Sequence, residues 1–156
     1  MAEYITKEGM QRLQKRMQEL IKARPAIIKQ VATAREMGDL SENAEYHAAR
    51  EKQRHLENEY NYLKNRVSKL TVIDTDKIAK DAVRFGARVT MEELSSGKVF
   101  KYRFVGVDEV FETEDEYERK SITSPLGKGV LGKKVGDIAI VNAPAGIRKF
   151  KILEIK

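Results

Sequence analysis

Two heptad seams, one on each side of residue 40, constrain this chain more than any other feature of its sequence. Met10, Leu13, Met17, Leu20, Arg24, Ile27, Val31 and Ala34 step by alternating threes and fours, as do Tyr46, Ala49, Gln53, Leu56, Tyr60, Leu63, Val67 and Leu70. Such a repeat marks helices that pack along a narrow apolar stripe. Each series has one polar break, Arg24 in the first and Gln53 in the second. The two series are mirror images. Met10 with Leu70, Leu13 with Val67, Met17 with Leu63, Leu20 with Tyr60, Arg24 with Leu56, Ile27 with Gln53, Val31 with Ala49 and Ala34 with Tyr46 all share residue 40 as their midpoint. Each pair also joins an a position to a d position, as antiparallel packing requires. The pattern therefore predicts a long antiparallel helical hairpin that turns inside "GDLSEN".

Local signals agree with that hairpin. Thr6 is of the type that caps a helix start, and Gly38 can end the first helix in a conformation other residues avoid. At 1.5 Å per residue, an arm from Thr6 to Gly38 is about 50 Å long. Pro25 inside it predicts a kink or a lost hydrogen bond. The expected division is a hairpin over 1–76, with its tip at 38–43, and a second domain over 77–156.

Beyond Asp76 the period changes. Arg88–Leu94 and Val99–Gly106 read as strands joined at Ser95–Lys98. Ser124 followed by Pro125 reads as a cap and the first residue of a short helix, and Ile138–Ala143 and Ile147–Lys156 read as a second hairpin across "PAG". Most of Phe85, Phe100, Tyr102, Phe104, Phe111, Tyr117 and Phe150 are expected to be core. Glu112–Arg119, "ETEDEYER", reads as a solvated loop or edge. The fold class is a two-domain α+β protein.

The tip concentrates carboxylates: Asp39, Glu42 and Glu45 fall within seven positions. Asp39 and Glu42 fit a capping box, in which the aspartate caps the second helix and the glutamate reaches back. They also fit a metal site. Magnesium is commonly held by one or two carboxylates together with waters and substrate phosphates, so a pair carried to the end of a long arm can complete a site that a partner already holds. Completing a two-metal site serves phosphodiester hydrolysis. Arg35, Arg50, Lys52 and Arg54 flank the acids and suit a nucleic-acid backbone, although Arg50 and Arg54 can equally pair with Glu51, Glu57 or surface solvent. Leu40 is an apolar residue at the expected tip, able to pack on the hairpin end or to wedge against a partner.

Composition narrows the classes. With 156 residues and 41% apolar content the chain can bury a core, and the net charge of +6 mildly favours polyanionic surroundings. It has no cysteine and only two histidines, His47 and His55, which removes thiolate chemistry and the usual zinc sites. No apolar run is long enough for a membrane span or a secretory signal, so the expectation is a cytoplasmic protein.

"EMGDLSENAEYHAAREKQ" closely resembles the tip and returning helix of the bacterial Gre transcript cleavage factors. "ITKEGMQRLQKRMQEL", "ARP" and "SITSPLGKGVLGKKVGDIAIVNAPAG" resemble further family segments in family order, so the likeness covers nearly the whole chain. The resemblance implies an N-terminal antiparallel coiled coil and a C-terminal FKBP-like α+β domain. It implies docking on bacterial RNA polymerase through the C-terminal domain and insertion of the coiled coil into the secondary channel. There the factor stimulates the polymerase's own cleavage of backtracked RNA. The resemblance further implies an accessory factor and not an enzyme, with no small-molecule substrate and no membrane. By motif match, Asp39 and Glu42 would share Mg²⁺ with the polymerase, Arg35 and Arg50 would lie near a basic patch that contacts the nascent RNA 3′ end, and Ser124 and Pro125 would belong to a docking segment. Thr123 stands where other members often carry Asp or Asn. The small basic patch and "AEYHAAR" favour the GreA type over the GreB type. Rival readings are a non-cleaving channel regulator, an FKBP-like isomerase or chaperone with a helical arm, and a coiled-coil nucleic-acid binder.

Overall fold

The computed structural model describes residues 3–39, 42–113 and 115–156. The chain forms two compact units. One is the helical hairpin, Met10–Leu70, and the other combines the chain's opening through Gly9 with Thr71–Lys156. The division thus differs from the expected 1–76 and 77–156. A short strand β1 (Glu3–Thr6) pairs with β2 (Leu70–Ile73), which ties the chain's opening to the segment that follows the hairpin.

The hairpin consists of α1 (Lys7–Arg35) and α2 (Ala44–Lys69). With 29 residues, α1 is about 43 Å long. It runs unbroken through Pro25, whose ring removes one backbone donor without ending the helix. All sixteen seam positions are buried or half-buried. Leu20, Ile27, Leu56 and Leu63 form the core of the seam, with Leu13, Met17 and Tyr60 against them. The polar break at Arg24 is accommodated in full: its guanidinium holds Glu57 through two hydrogen bonds, of 2.8 and 3.0 Å, and lies 5.3 Å from the Tyr60 ring centre. Arg16 grips Glu59 in the same bidentate way.

The second unit is built on a five-stranded sheet in the order β5-β4-β3-β7-β6: β3 (Arg88–Glu93), β4 (Val99–Val105), β5 (Glu118–Ser121), β6 (Ile138–Ala143) and β7 (Gly146–Ile155). The β3–β4 and β6–β7 hairpins fall where the turn signals put them. Helix α3 (Pro125–Val130) opens as expected, with Ser124 as its cap and proline in its first turn. One face of the sheet carries the core, which includes Val83, Val89, Met91, Phe104, Val130, Phe150 and Ile152.

The acidic stretch ends in an edge strand, within its expected reading as a loop or edge, since Glu118 and Arg119 begin β5, which runs parallel to β4. Two features depart from the sequence expectations. Phe111 is not core but 87% exposed. The first helix is preceded by a strand, and Thr6, the expected cap, belongs to both: its hydroxyl accepts a hydrogen bond from the Gly9 amide at 3.0 Å. The same hydroxyl donates to the buried Glu109 carboxylate, which also accepts from the Thr6 amide at 3.0 Å. No helix is long and apolar enough to cross a membrane among the described residues. Leu40 lies outside the described residues.

Candidate functional site at the hairpin turn

The turn between α1 and α2 is closed by one residue that the sequence did not single out. Asn43 is the N-cap of α2: its side-chain oxygen accepts from the Tyr46 amide at 2.9 Å. Its side-chain amide donates to the Ala34 carbonyl at 2.6 Å. One asparagine thus satisfies an orphan donor at the start of α2 and an orphan acceptor at the end of α1. Met37 and Glu36 add backbone bonds to Ala34 and Thr33, and Gly38 takes φ = +144°, a conformation that suits glycine.

This overturns the capping-box alternative. For Asp39 to cap α2 the helix would have to begin at residue 40, whereas it begins at Ala44. Asp39 instead opens a tight turn, in which the Glu42 amide donates to the Asp39 carbonyl at 3.3 Å. Both residues are exposed. Together with Met37, Gly38, Asn43 and Glu45 they border an open hollow of about 340 Å³. The signal that could have found Asn43 was its own residue type immediately before "AEYH"; the Asp-x-x-Glu pattern a few residues earlier masked it.

The expected cations do not form one patch. Arg35 closes the last turn of α1, where a cation opposes the helix dipole, and lies 5.7 Å from the Tyr46 ring centre. Arg50 donates to Gln53 at 3.0 Å. Arg54 pairs with Glu51 at 2.6 Å, and the His55 imidazole lies 3.2 Å from the same carboxylate. The pairing with Glu51 that the sequence left open is therefore made by Arg54, while Glu57 belongs to Arg24. Lys52 faces another way. It borders a groove of about 630 Å³ along the hairpin, floored by Ala26, Ala34, Ala48 and Ala49 and edged by Lys29 and Met37. Met37 and Glu45 line both the groove and the acidic hollow, so the two are continuous. Small residues at facing positions leave this groove open, a signal the seam analysis passed over.

A magnesium ion would find part of its donor set here. Asp39 and Glu42, both exposed and bordering the same hollow, could supply the one or two carboxylates that such an ion takes from protein. No group of three His, Cys, Asp or Glu side chains is arranged to hold a metal among the described residues.

In the sheet unit, the Ser124 hydroxyl is committed to structure. It accepts from the Gly127 amide at 3.1 Å and donates to the Ser121 carbonyl at 2.6 Å. Thr123 and Pro125 are exposed beside it. Pro125 borders a groove of about 570 Å³ with Lys128, Leu131, Lys133, Ile138 and Ile140.

On the opposite side of β4 from Tyr102 and Phe104, three arginines stand in one row. Arg88, Arg103 and Arg119 are direct register partners across β3, β4 and β5. Asp115 bridges the outer two, at 3.1 Å to Arg88 and 2.6 Å to Arg119. Burial pushes the Asp115 carboxyl up, but hydrogen bonds from Arg119, the Tyr117 amide and Arg88 outweigh it and bring the pKa down to about 2. Burial and the two neighbouring arginines lower the pKa of Arg103, whose guanidinium donates to the Gly86 carbonyl at 3.1 Å.

Comparison with known proteins is consistent along the whole chain. Residues 3–72 match the family described as "Transcription elongation factor, N-terminal", and residues 78–156 match "Transcription elongation factor, GreA/GreB, C-term". The transcription elongation factor GreA of Syntrophus aciditrophicus is 43% identical over 152 residues, covering 97% of this chain and 92% of that protein. GreA of Nitratidesulfovibrio vulgaris (strain DP4) is 42% identical over 154 residues, covering 97% and 91%. Among solved structures, GreA factor homolog 1 of Thermus thermophilus is similar at 23% identity, with a TM-score of 0.46 over 100% of this chain and 99% of that one. The chain belongs to the GreA/GreB family of transcription elongation factors.

Proposed function

We propose that this elongation factor rescues arrested transcription by lending its tip acids to RNA polymerase. On this reading the hairpin enters the polymerase's secondary channel, and Asp39 and Glu42 stimulate the enzyme's intrinsic cleavage of backtracked RNA. The observation that carries it is the division of labour at the turn. Asn43 does the capping, so neither carboxylate is needed to start α2, and both stand exposed on a tight turn at the end of a long arm.

Asp39 and Glu42 would help hold a Mg²⁺ whose other ligands come from the polymerase and the RNA. When bound, such an ion lowers the pKa of water and stabilises charge on the phosphate oxygens. The carboxylates' own task is to accept hydrogen bonds from the attacking water and to orient it toward the phosphodiester. Arg35, Arg50, Lys52 and Arg54 would hold the nascent RNA 3′ segment, with Lys52 and the adjoining groove best disposed because Arg54 is already paired. Exposed Pro125, positioned by the Ser124 cap, would contribute to docking on the polymerase. The chain is then an accessory factor that acts where the polymerase acts, in the cytoplasm.

The test is a stalled, backtracked elongation complex carrying 3′-labelled RNA, with Mg²⁺ and with or without this protein. Rapid release of short 3′ fragments only when the protein is present supports the reading. Binding that competes with other channel ligands but leaves cleavage unchanged replaces it with a non-cleaving regulator.

A further inference from the structure

The outward side of α1 differs from the rest of the hairpin. Cations beside the seam have acidic partners: Arg16 holds Glu59 and Glu19, and Arg24 holds Glu57. Lys15, Lys22 and Lys29 do not. They recur every seven residues at the heptad position opposite the seam, all three are exposed, and none is in an ion pair among the described residues. That spacing lines the lysines up about 10.5 Å apart on one stripe along the arm. The only acids on α1 are Glu8 and Glu19.

Two isoleucines repeat with the lysines. Ile21 and Ile28 directly precede Lys22 and Lys29, and although they flank the seam they remain 42% and 47% exposed. One exposed apolar side chain on a surface is ordinary. A repeat of apolar and unneutralised basic residues in the same register is the composition of an interface, with an apolar strip beside a charged rim.

We infer that this stripe of α1 is a contact face for an acidic, partly apolar protein wall, and that in the reading proposed above, on which this rests, the wall belongs to the polymerase channel. Charge complementarity selects an acidic partner. The isoleucines select protein over nucleic acid, because single strands are gripped by basic residues together with aromatic platforms and α1 has no aromatic residue.

The test measures affinity for bacterial RNA polymerase across a range of KCl, with cleavage of backtracked RNA followed in parallel. The variants are Lys15→Gln/Lys22→Gln, which leaves Lys29 at the groove untouched, and Ile21→Gln/Ile28→Gln, each checked by circular dichroism for an intact hairpin. The lysine variant should bind about tenfold more weakly at low salt and with a flatter salt dependence, since rim charges act mainly through long-range attraction. The isoleucine variant should lose a few-fold at all salt concentrations, and saturating amounts of either should restore cleavage. A photo-crosslinker placed at position 22 should attach to a polymerase subunit. Affinities within twofold of wild type for both variants, or a crosslink to RNA, would overturn the assignment while wild-type cleavage left the proposed function standing. A wild-type chain that neither binds the polymerase nor speeds cleavage would remove both.

Discussion

In the hairpin the best-buried core residues, Leu20 and Leu56, keep 5% of their surface, and Ile27 and Leu63 keep 7%; in the sheet unit Val83, Val89, Met91, Phe104, Phe150 and Ile152 keep none. Two helices alone can only shield a line between them, whereas a sheet with a helix and loops packed on one face encloses a volume. The hairpin trades burial for reach. Its energy is spread thinly along a seam, supplemented by bidentate ion pairs such as Arg16–Glu59, which sit at the surface and contribute little each. The sheet unit can afford buried charge, as at Glu109 and Arg119, because its apolar core is complete without them.

Truncations should expose that contrast most strongly. Phe104→Ala should cost about 3–5 kcal/mol, and Leu56→Ala nearer about 2 kcal/mol because the seam is already partly wet. Urea unfolding, with hydrogen exchange assigning the loss to each unit, checks both. An equal or larger loss for Leu56→Ala would break the comparison.

A smaller effect tests how the sheet unit uses its buried carboxylate. A Cβ built on Gly9 would clash with a Glu109 carboxylate oxygen. Gly9→Ala should therefore push Glu109 off Thr6 and destabilise the unit by about 1–2 kcal/mol, despite the better helix propensity of alanine. A neutral or stabilising result would mean that Glu109 swings aside without cost.

At the turn, Asn43→Ala should cost about 1 kcal/mol and speed amide exchange in the first turn of α2. Asp39→Ala should cost clearly less. The reverse order would return the cap to Asp39.

The smallest expected effect lies in acid. With its pKa lowered to about 2 in the folded state from 3.8, Asp115 contributes stability that is complete above about pH 4 and lost as pH falls toward 2. The contribution is about 1 kcal/mol or less, since the bridge is partly solvated. Asp115→Asn should flatten the acid limb of stability against pH over that window, and an unchanged limb would show that Arg88 and Arg119 do not depend on it.

The same contrast explains what the sequence made legible. A coiled-coil seam is a local, periodic signal, so the two helices and their antiparallel course could be read from spacing, whereas the partner of Arg24 could not: the seam sets that arginine opposite Leu56, and its side chain holds Glu57. Hairpins of the sheet were readable from their turns. The row formed by Arg88, Arg103 and Arg119 was not, because it exists only once three strands are in register. Nor was the exposure of Phe111, where aromatic character argued for the core. At the turn, the sequence left Asp39 and Glu42 between two roles: the Asp-x-x-Glu spacing is the same for a cap and for a ligand pair, and only the position of the first residue of α2 removes the cap.

That separation is the central claim, and one comparison tests it directly. Asp39→Asn/Glu42→Gln keeps the shape of both side chains and removes their charge. The account predicts an unchanged melting temperature, near-normal affinity for polymerase, and cleavage of backtracked RNA slowed on the order of 100-fold, the scale expected for losing groups that orient and activate water. Cleavage at the wild-type rate, or a loss of cleavage that tracks a loss of folding, would contradict it.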